Sequence, residues 1–296
     1  MTAIPPISAR PTQNAAKGIL LYMAGIFFMA TMDVLAKLVV QDVHVAMAVW
    51  ARYAGQTLVV TLFFLPKLGT IARTRYPVIQ FVRSVLLLLG TSMFFLSLTY
   101  LGLAEATAIM DINPVLITLG GAIFLGEALG PRRAFGVAAA LIGALIIIRP
   151  GSDVFQPASF LPLVAACGYG GFVLLTRKVG HDEDPRTSLF YAAMLGALVT
   201  SIVVPFFWQR PEPMTLVFML MIGVLGSFGQ FFLIKAVQFA EAGAVAPFSY
   251  LGLLIAAFWG MVIFGEFPDT ATWIGAAIIV AAGLYVWHRE RVADRA

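Results

Sequence analysis

Ten apolar stretches fill this chain from residue 18 to residue 288 and leave no segment over for a soluble domain. They run over 18–40, 46–66, 79–100, 104–126, 132–149, 158–178, 187–207, 214–236, 241–264 and 271–288, joined by short loops. A bilayer core about 30 Å thick is crossed by about 20 helical residues, so each stretch is long enough to span it. The chain as a whole agrees: 60% of its 296 residues are hydrophobic and 11% charged, where soluble domains run near one-quarter charged. Residues 1–17 form a polar tail with Arg10 and Lys17. The apolar run that follows has no clear small-residue cleavage site, so it reads as an anchor rather than a removed signal peptide. Residues 289–296 form a second short tail.

The second constraint is an internal echo. Phe124-Leu125-Gly126-Glu127, with Gly136 nine residues after the glutamate, returns as Ile263-Phe264-Gly265-Glu266 with Gly275 nine residues on. Leu103-Ala104-Glu105-Ala106 returns as Phe239-Ala240-Glu241-Ala242. The chain therefore reads as two related halves, 18–150 and 151–288, with five spans in each. An odd number of spans turns the second copy upside down, and inverted repeats are the architecture of many secondary transporters.

Direction across the membrane follows from the positive charges. With the N-terminus cytoplasmic, fifteen of the 19 lysines and arginines fall inside; Lys37, Arg149 and Arg210 fall outside, and Arg52 lies within the second span. Both termini are thus expected in the cytoplasm, Glu127 at a cytoplasmic loop and Glu266 at an external one. The same bias explains the basic pI near 9.3 without a nucleic-acid partner.

Gln230-Phe231-Phe232 through Lys235-Ala236, then Ala246-Pro247-Phe248-Ser249-Tyr250, Phe264-Gly265-Glu266 and Gly275-Ala276-Ala277-Ile278-Ile279 follow one another as in EamA-type proteins of the drug/metabolite transporter superfamily. Asn113-Pro114-Val115 followed by Leu125-Gly126-Glu127 resembles that family's motif in the first half. The resemblance covers the chain beyond its N-terminal tail. It implies ten helices and export of small metabolites by alternating access, and among family members the chain looks closest to bacterial inner-membrane exporters of aromatic and other hydrophobic amino acids.

Charges within a bilayer cost several kcal/mol, so each polar residue in a span asks for a reason. Asp33 and Lys37 stand one turn apart, which suits a structural ion pair or a site for a proton or substrate amine. Arg52, with Trp50, Tyr53 and Gln56 nearby, reads either as a bidentate holder of a substrate carboxylate or as a snorkelling or Asp33-paired arginine. Asp111 and Asn113 precede Pro114 in the fourth span, and Pro247, Ser249 and Tyr250 occupy the corresponding place in the ninth. Proline frees a backbone carbonyl a turn earlier, and paired breaks of this kind point to a substrate site with Pro114 and Pro247 as hinges. Satisfied kinks are the plainer alternative. Gly223, Gly226 and Gly229 permit close helix approach and lead to Gln230, a candidate for the cavity wall. Gly168-Tyr169-Gly170-Gly171 offers a hinge, with Tyr169 toward the pathway. Phe94, Phe95, Tyr100 and Trp50 form either a floor for an aromatic side chain or ordinary packing.

Other classes find little purchase. There is no Walker loop, no G-x-S-x-G element and no metal-ligand spacing, and His44, His181 and His288 fall at loops or ends. Glu127 and Glu266 stand on opposite sides of the membrane and read as organisers of helix ends, not as a catalytic pair. The lone Cys167 excludes a disulfide framework. The expectation is an all-α, ten-helix carrier with no cofactor, whose partners are the bilayer and a small molecule. Its cargo is expected to be an aromatic or hydrophobic amino acid, with a different metabolite or drug as the alternative and a lipid-modifying membrane enzyme as the remote one.

Overall fold

In a computed structural model that describes residues 15–125, 131–149, 156–179, 183–239 and 246–293, every regular element is helical. The first three spans are α1 (Ala15–Asp42), α2 (Val45–Phe64) and, after a short α3 (Leu68–Ile71), α4 (Pro77–Ser97). The fourth is two helices, α5 (Leu103–Met110) and α6 (Asn113–Leu125). Then come α7 (Pro131–Ile148), α8 (Phe160–Val179), α9 (Pro185–Val203) and α10 (Pro213–Phe239). A 3-10 turn at Ala246–Tyr250 leads into α11 (Leu251–Phe264), and α12 (Thr270–Ala293) closes the chain.

Local chemistry sets several of these starts. Helices α4, α7, α9 and α10 open on proline, whose fixed φ suits a first turn where its missing N–H is not needed. Asp184 caps α9 by accepting the Arg186 N–H at 2.8 Å, and His44 Nδ1 accepts the Ala46 N–H at the head of α2. Among the described residues, seven helical stretches are long and apolar enough to cross a bilayer; Ala134–Ile148, Phe248–Phe264 and Thr270–Tyr285 are shorter apolar helices. Leu62, Phe63, Phe124, Ile202 and Phe206 are among many large apolar side chains that face outward, as lipid rather than water requires.

The helices pack in pairs that swap across the two halves. Helix α1 lies along α10 as α4 lies along α8, α2 packs on α10 as α4 packs on α9, and α7 packs on α12. Glycine sets the closest of these approaches. A Cβ on Gly55 of α2 would stand 2.6 Å from the Gly223 Cα of α10, and one on Gly143 of α7 would stand 2.8 Å from the Gly275 carbonyl of α12. Small residues let helices meet where lipid supplies no hydrophobic drive between them.

Gly223→Ala is therefore expected to cost about 1–3 kcal/mol through overpacking and to lower the melting temperature of detergent-purified protein. Gly69→Ala, where a Cβ meets open space, serves as the control. Equal melting temperatures for the two variants would contradict this account of the α2–α10 contact.

Candidate functional site

The break in the fourth span builds the site. Helix α5 ends at Met110, and Asp111 leaves the α region at φ −68° and ψ 0° while its N–H still bonds to Thr107 O at 2.9 Å. Asn113 opens α6 and ties it sideways: its Nδ2 donates to the Ala166 carbonyl of α8 at 2.7 Å. Pro114 is the second residue of α6, where no intrahelical N–H is called for. The turn at Asp111 and Ile112 thus sits inside the protein, its backbone bonded within the span and its far side tied to α8 by the Asn113 amide.

Asp111 lines a cavity of about 210 Å³ together with Asp33 of α1, Arg52 of α2, Thr91 and Phe94 of α4, Thr107 of α5, Tyr169 of α8 and Ser249 of the 3-10 turn. Ile26, Met29, Leu87 and Met110 supply apolar wall. Arg52 is 8% exposed. Its Nη1 donates to Thr91 Oγ1 at 3.0 Å, Tyr53 Oη shares the same hydroxyl, and the rings of Tyr53 and Phe95 lie 5.7 Å from the guanidinium carbon. Arg52 and Asp33 interact electrostatically without forming a direct ion pair. Tyr22 and Tyr250 lie within electrostatic reach of Asp111, and Tyr22 within reach of Tyr169. Two buried polar atoms here have no partner: Arg52 Nε and Asp111 Oδ2. Such groups in a low-dielectric interior are costly unless something meets them.

Of the residues singled out in the sequence, Asp33, Arg52, Asp111, Tyr169 and Ser249 come together at this cavity. Gln230 lines a different chamber, beside Arg83 and Gln56. Asn113 spends its amide on α8, as described. Tyr250 is buried against Gly283 of α12 and its hydroxyl lacks a partner. Trp50 donates to Ser201 Oγ at 3.0 Å and meets Trp208 edge-on, joining α2 to the end of α9. Tyr100 is 58% exposed. Pro247 falls in the 3-10 turn, and Gly168 through Gly171 stay within an uninterrupted α8. Of the aromatic cluster, Phe94 reaches the cavity while Phe95 is core. Glu127, Glu241 and His181 lie outside the described residues. Sequence reasoning passed over Thr91, Thr107 and Tyr22; the Gly90-Thr91-Ser92 interruption in the apolar middle of the third span was the available signal.

One pairing differs from the sequence expectation. Lys37 turns away from Asp33, with its Nζ bonded to Glu266 Oε1 and donating to Leu101 O at 2.8 Å. Helical spacing permitted the Asp33 pair, but Lys37 is 2% exposed and the loop after α11 delivers a carboxylate to it. Gly265 makes that possible: at φ 64° it takes the left-handed conformation open to glycine, and Glu266 N–H folds back to the Gly260 carbonyl. The other oxygen of Glu266 accepts the Leu103 N–H at 2.9 Å, placing a carboxylate on the N-terminus of α5. One glutamate thereby ties the first, fourth and ninth spans.

Apolar helices wrapped around a small charged cavity at a broken span define a membrane transporter. The profile of the EamA-like transporter family matches the chain twice, over residues 16–149 and 156–287. The chain belongs to that family, within the drug/metabolite transporter superfamily, and is a multi-pass protein of the bacterial inner membrane. It is 30% identical to a riboflavin transporter of Rhizobium johnstonii over 98% of this chain and 96% of that one. It is 27% identical to an S-adenosylmethionine uptake transporter of Rickettsia prowazekii, with 93% of each chain covered. A pseudopaline exporter of Pseudomonas aeruginosa is 28% identical over 90% of this chain and 94% of its own. A crystal structure of a protein 19% identical to this one aligns over 91% of this chain and 96% of that one with a TM-score of 0.61, a likeness of fold alone.

Replacing Glu266 by Ala is expected to cost about 2–3 kcal/mol, because it leaves the Lys37 ammonium buried and unpaired; the figure sits below that for a fully buried pair since Glu266 is 32% exposed. Adding Lys37→Met should restore at least half of the lost stability. Thermal melts of the two single variants and the double variant form the cycle, and purely additive losses would refute a Lys37–Glu266 coupling.

Proposed function

We propose that the chain carries a small amphipathic metabolite, one that joins a flat ring to polar groups of both donor and acceptor character, across the inner membrane by alternating access. The observation that carries this reading is the pair of unpartnered buried groups at one apolar-walled cavity, Arg52 Nε and Asp111 Oδ2. A guanidinium and a carboxyl group left without direct ion partners at the same site suit a cargo that presents strong acceptors and donors beside an apolar body. Asp33 adds a second carboxyl group.

Riboflavin is the first cargo to try, with its ring imide and hydroxylated chain, and S-adenosylmethionine the second, with an amino-acid end and an adenine. The long relatives named for these molecules support both choices. The aromatic amino acids expected from the sequence find no counterpart among the three relatives described above, so the cargo class is widened to ring-bearing metabolites. S-adenosylmethionine retains an amino-acid end, which offers such acceptors and donors.

In this proposal the two halves are inverted five-helix repeats with both termini cytoplasmic, as the twofold match of the family profile and the swapped helix pairs support. Rocking of one half against the other exposes the cavity to each side in turn, with the breaks at Pro114 and Pro247 taking up the bending. Arg52 and Asp111 hold the polar ends of the cargo. Tyr169 and Ser249 bound the site, and Asp33 serves as the carboxylate that a coupling proton would visit. No chemical step is involved.

Counterflow into liposomes tests cargo and site together. Vesicles preloaded with unlabelled riboflavin are expected to show a transient accumulation of labelled riboflavin without a pH gradient; parallel sets carry S-adenosylmethionine and phenylalanine. Arg52→Gln and Asp111→Asn should each lower the initial rate about tenfold or more, the scale of one lost charge-assisted hydrogen bond, while membrane insertion stays normal. Accumulation of neither ring cargo above empty vesicles would discard the class, and undiminished rates in both variants would discard the site.

A further inference from the structure

A second chamber of about 160 Å³ adjoins the cavity just described, with Leu87 of α4 in the wall of both. Its polar lining comes from five elements: Gln56 of α2, Arg83 of α4, Thr176 of α8, Ser188 of α9, Gln230 of α10, and Glu183 just before α9. Arg83 is 2% exposed, among the largest fully buried side chains of the molecule. Its Nη1 donates to Ser188 Oγ at 2.7 Å and its Nη2 to the Ser188 carbonyl at 2.9 Å, and its guanidinium carbon lies 4.9 Å over the Phe172 ring. All of these partners are neutral. Its Nε has no partner, and neither does the buried Oε1 of Gln80 beside it.

The charged group that faces Arg83 is Glu183, which acts on it electrostatically but forms no direct ion pair with it. That carboxylate accepts instead from Thr74 Oγ1 and from Gln80 Nε2. A buried guanidinium held in place by one serine, with a free N–H and an adjoining void, is a preorganised receptor for an anion. The central cavity does not use it, and closure of the chain alone does not satisfy it.

We propose that this chamber is a second binding station, which takes a carboxylate or similar small anionic group of the cargo between the central cavity and the membrane face that carries Thr74 and Glu183. The cargo assignment rests on the transport reading above; the anion preference of the chamber does not. Arg83 receives the anionic group through Nε and the outer edges of its Nη atoms, Gln56, Thr176 and Gln230 hydrogen-bond what is attached to it, and Leu87 separates the two stations.

The test uses labelling and needs no transported cargo. In purified full-length protein with Cys167→Ser, a single Thr176→Cys thiol is reacted in turn with the sulfonatoethyl and the trimethylammonioethyl methanethiosulfonates. Relative to free cysteine, the anionic reagent is expected to be favoured about tenfold, since a fixed charge in a narrow low-dielectric cleft concentrates counter-ions by that order. Arg83→Gln should abolish the preference and Arg83→Lys keep most of it. Sodium phenylacetate should slow the sulfonate reaction in the parent but not in Arg83→Gln. Glu183→Gln, which leaves Arg83 intact and removes the competing carboxylate, should raise the preference and covers the case where Arg83→Gln does not fold. A preference for the cationic reagent, a ratio that Glu183→Gln leaves unmoved, or absence of phenylacetate protection overturns the proposal. Failure of counterflow with intact labelling would strike the cargo reading instead.

Discussion

A hydrocarbon core offers no water to a backbone N–H or carbonyl, and that requirement governs where this fold may depart from a helix. Among the described residues, 3-10 turns such as Val204–Phe207 lie at the ends of spans, whereas the Asp111-Ile112 turn and the 3-10 turn at Ala246–Tyr250 lie further in. At the Asp111-Ile112 turn, the exposed ends are taken up inside the protein: Asp111 N–H by Thr107, Leu116 N–H by Ile112, and the start of α6 by the Asn113 amide on Ala166. A break whose backbone is satisfied locally and which one side chain ties to a neighbouring helix lies in the interior, and an interior break is where a polar cavity can open. The position of the site follows from the bilayer before any substrate is considered.

The cavity also needs walls that hold still. Glu266 supplies part of that by joining Lys37 on α1 to the N-terminus of α5, so the helix that carries Thr107 and leads to Asp111 is fixed at its far end. The glycine before it is as necessary as the carboxylate. At φ 64° a side chain would strain the turn, and without the turn Glu266 would point along the helix axis rather than back across it. The Gly-Glu pair that repeats in the sequence is thus, at its second occurrence, a device that ends one helix and begins another.

Much of this was legible from the chain itself. Apolar length located the apolar helices, since the hydrophobic requirement acts on every residue of a crossing helix alike; proline in the fourth span located the break, because it acts on the backbone beside it. Six of the residues singled out, Phe94 among them, share one cavity. The rest required distances between helices remote in sequence. Nothing local in Lys37 distinguishes Asp33, four residues off, from Glu266, 229 residues off, and only the fold brings the second within reach. Arg83 read as one of the cytoplasmic charges because charge counting is blind to depth, yet it is more deeply buried than Arg52. Asn113 and Gln230 looked equivalent as polar residues in apolar runs, but their helices turn them to different neighbours.

The two arginines put the route of a cargo in physical terms. A single strong site would bind too tightly to release, whereas two weaker ones in sequence let a charged group leave one partner as it meets the next, without a stage of full desolvation. Arg52 and Arg83 fit that logic: each is buried, each is held by a hydroxyl rather than by a direct carboxylate partner, and each keeps one N–H unspent. Leu87 stands between their chambers as the apolar residue common to both. A leucine there makes the passage from one arginine to the other the costly step for a polar group and a comfortable one for a ring. On the proposed two-station route, the residue between the stations favours molecules joining an apolar ring to a small charged end, and selectivity would be set as much by that wall as by the arginines themselves.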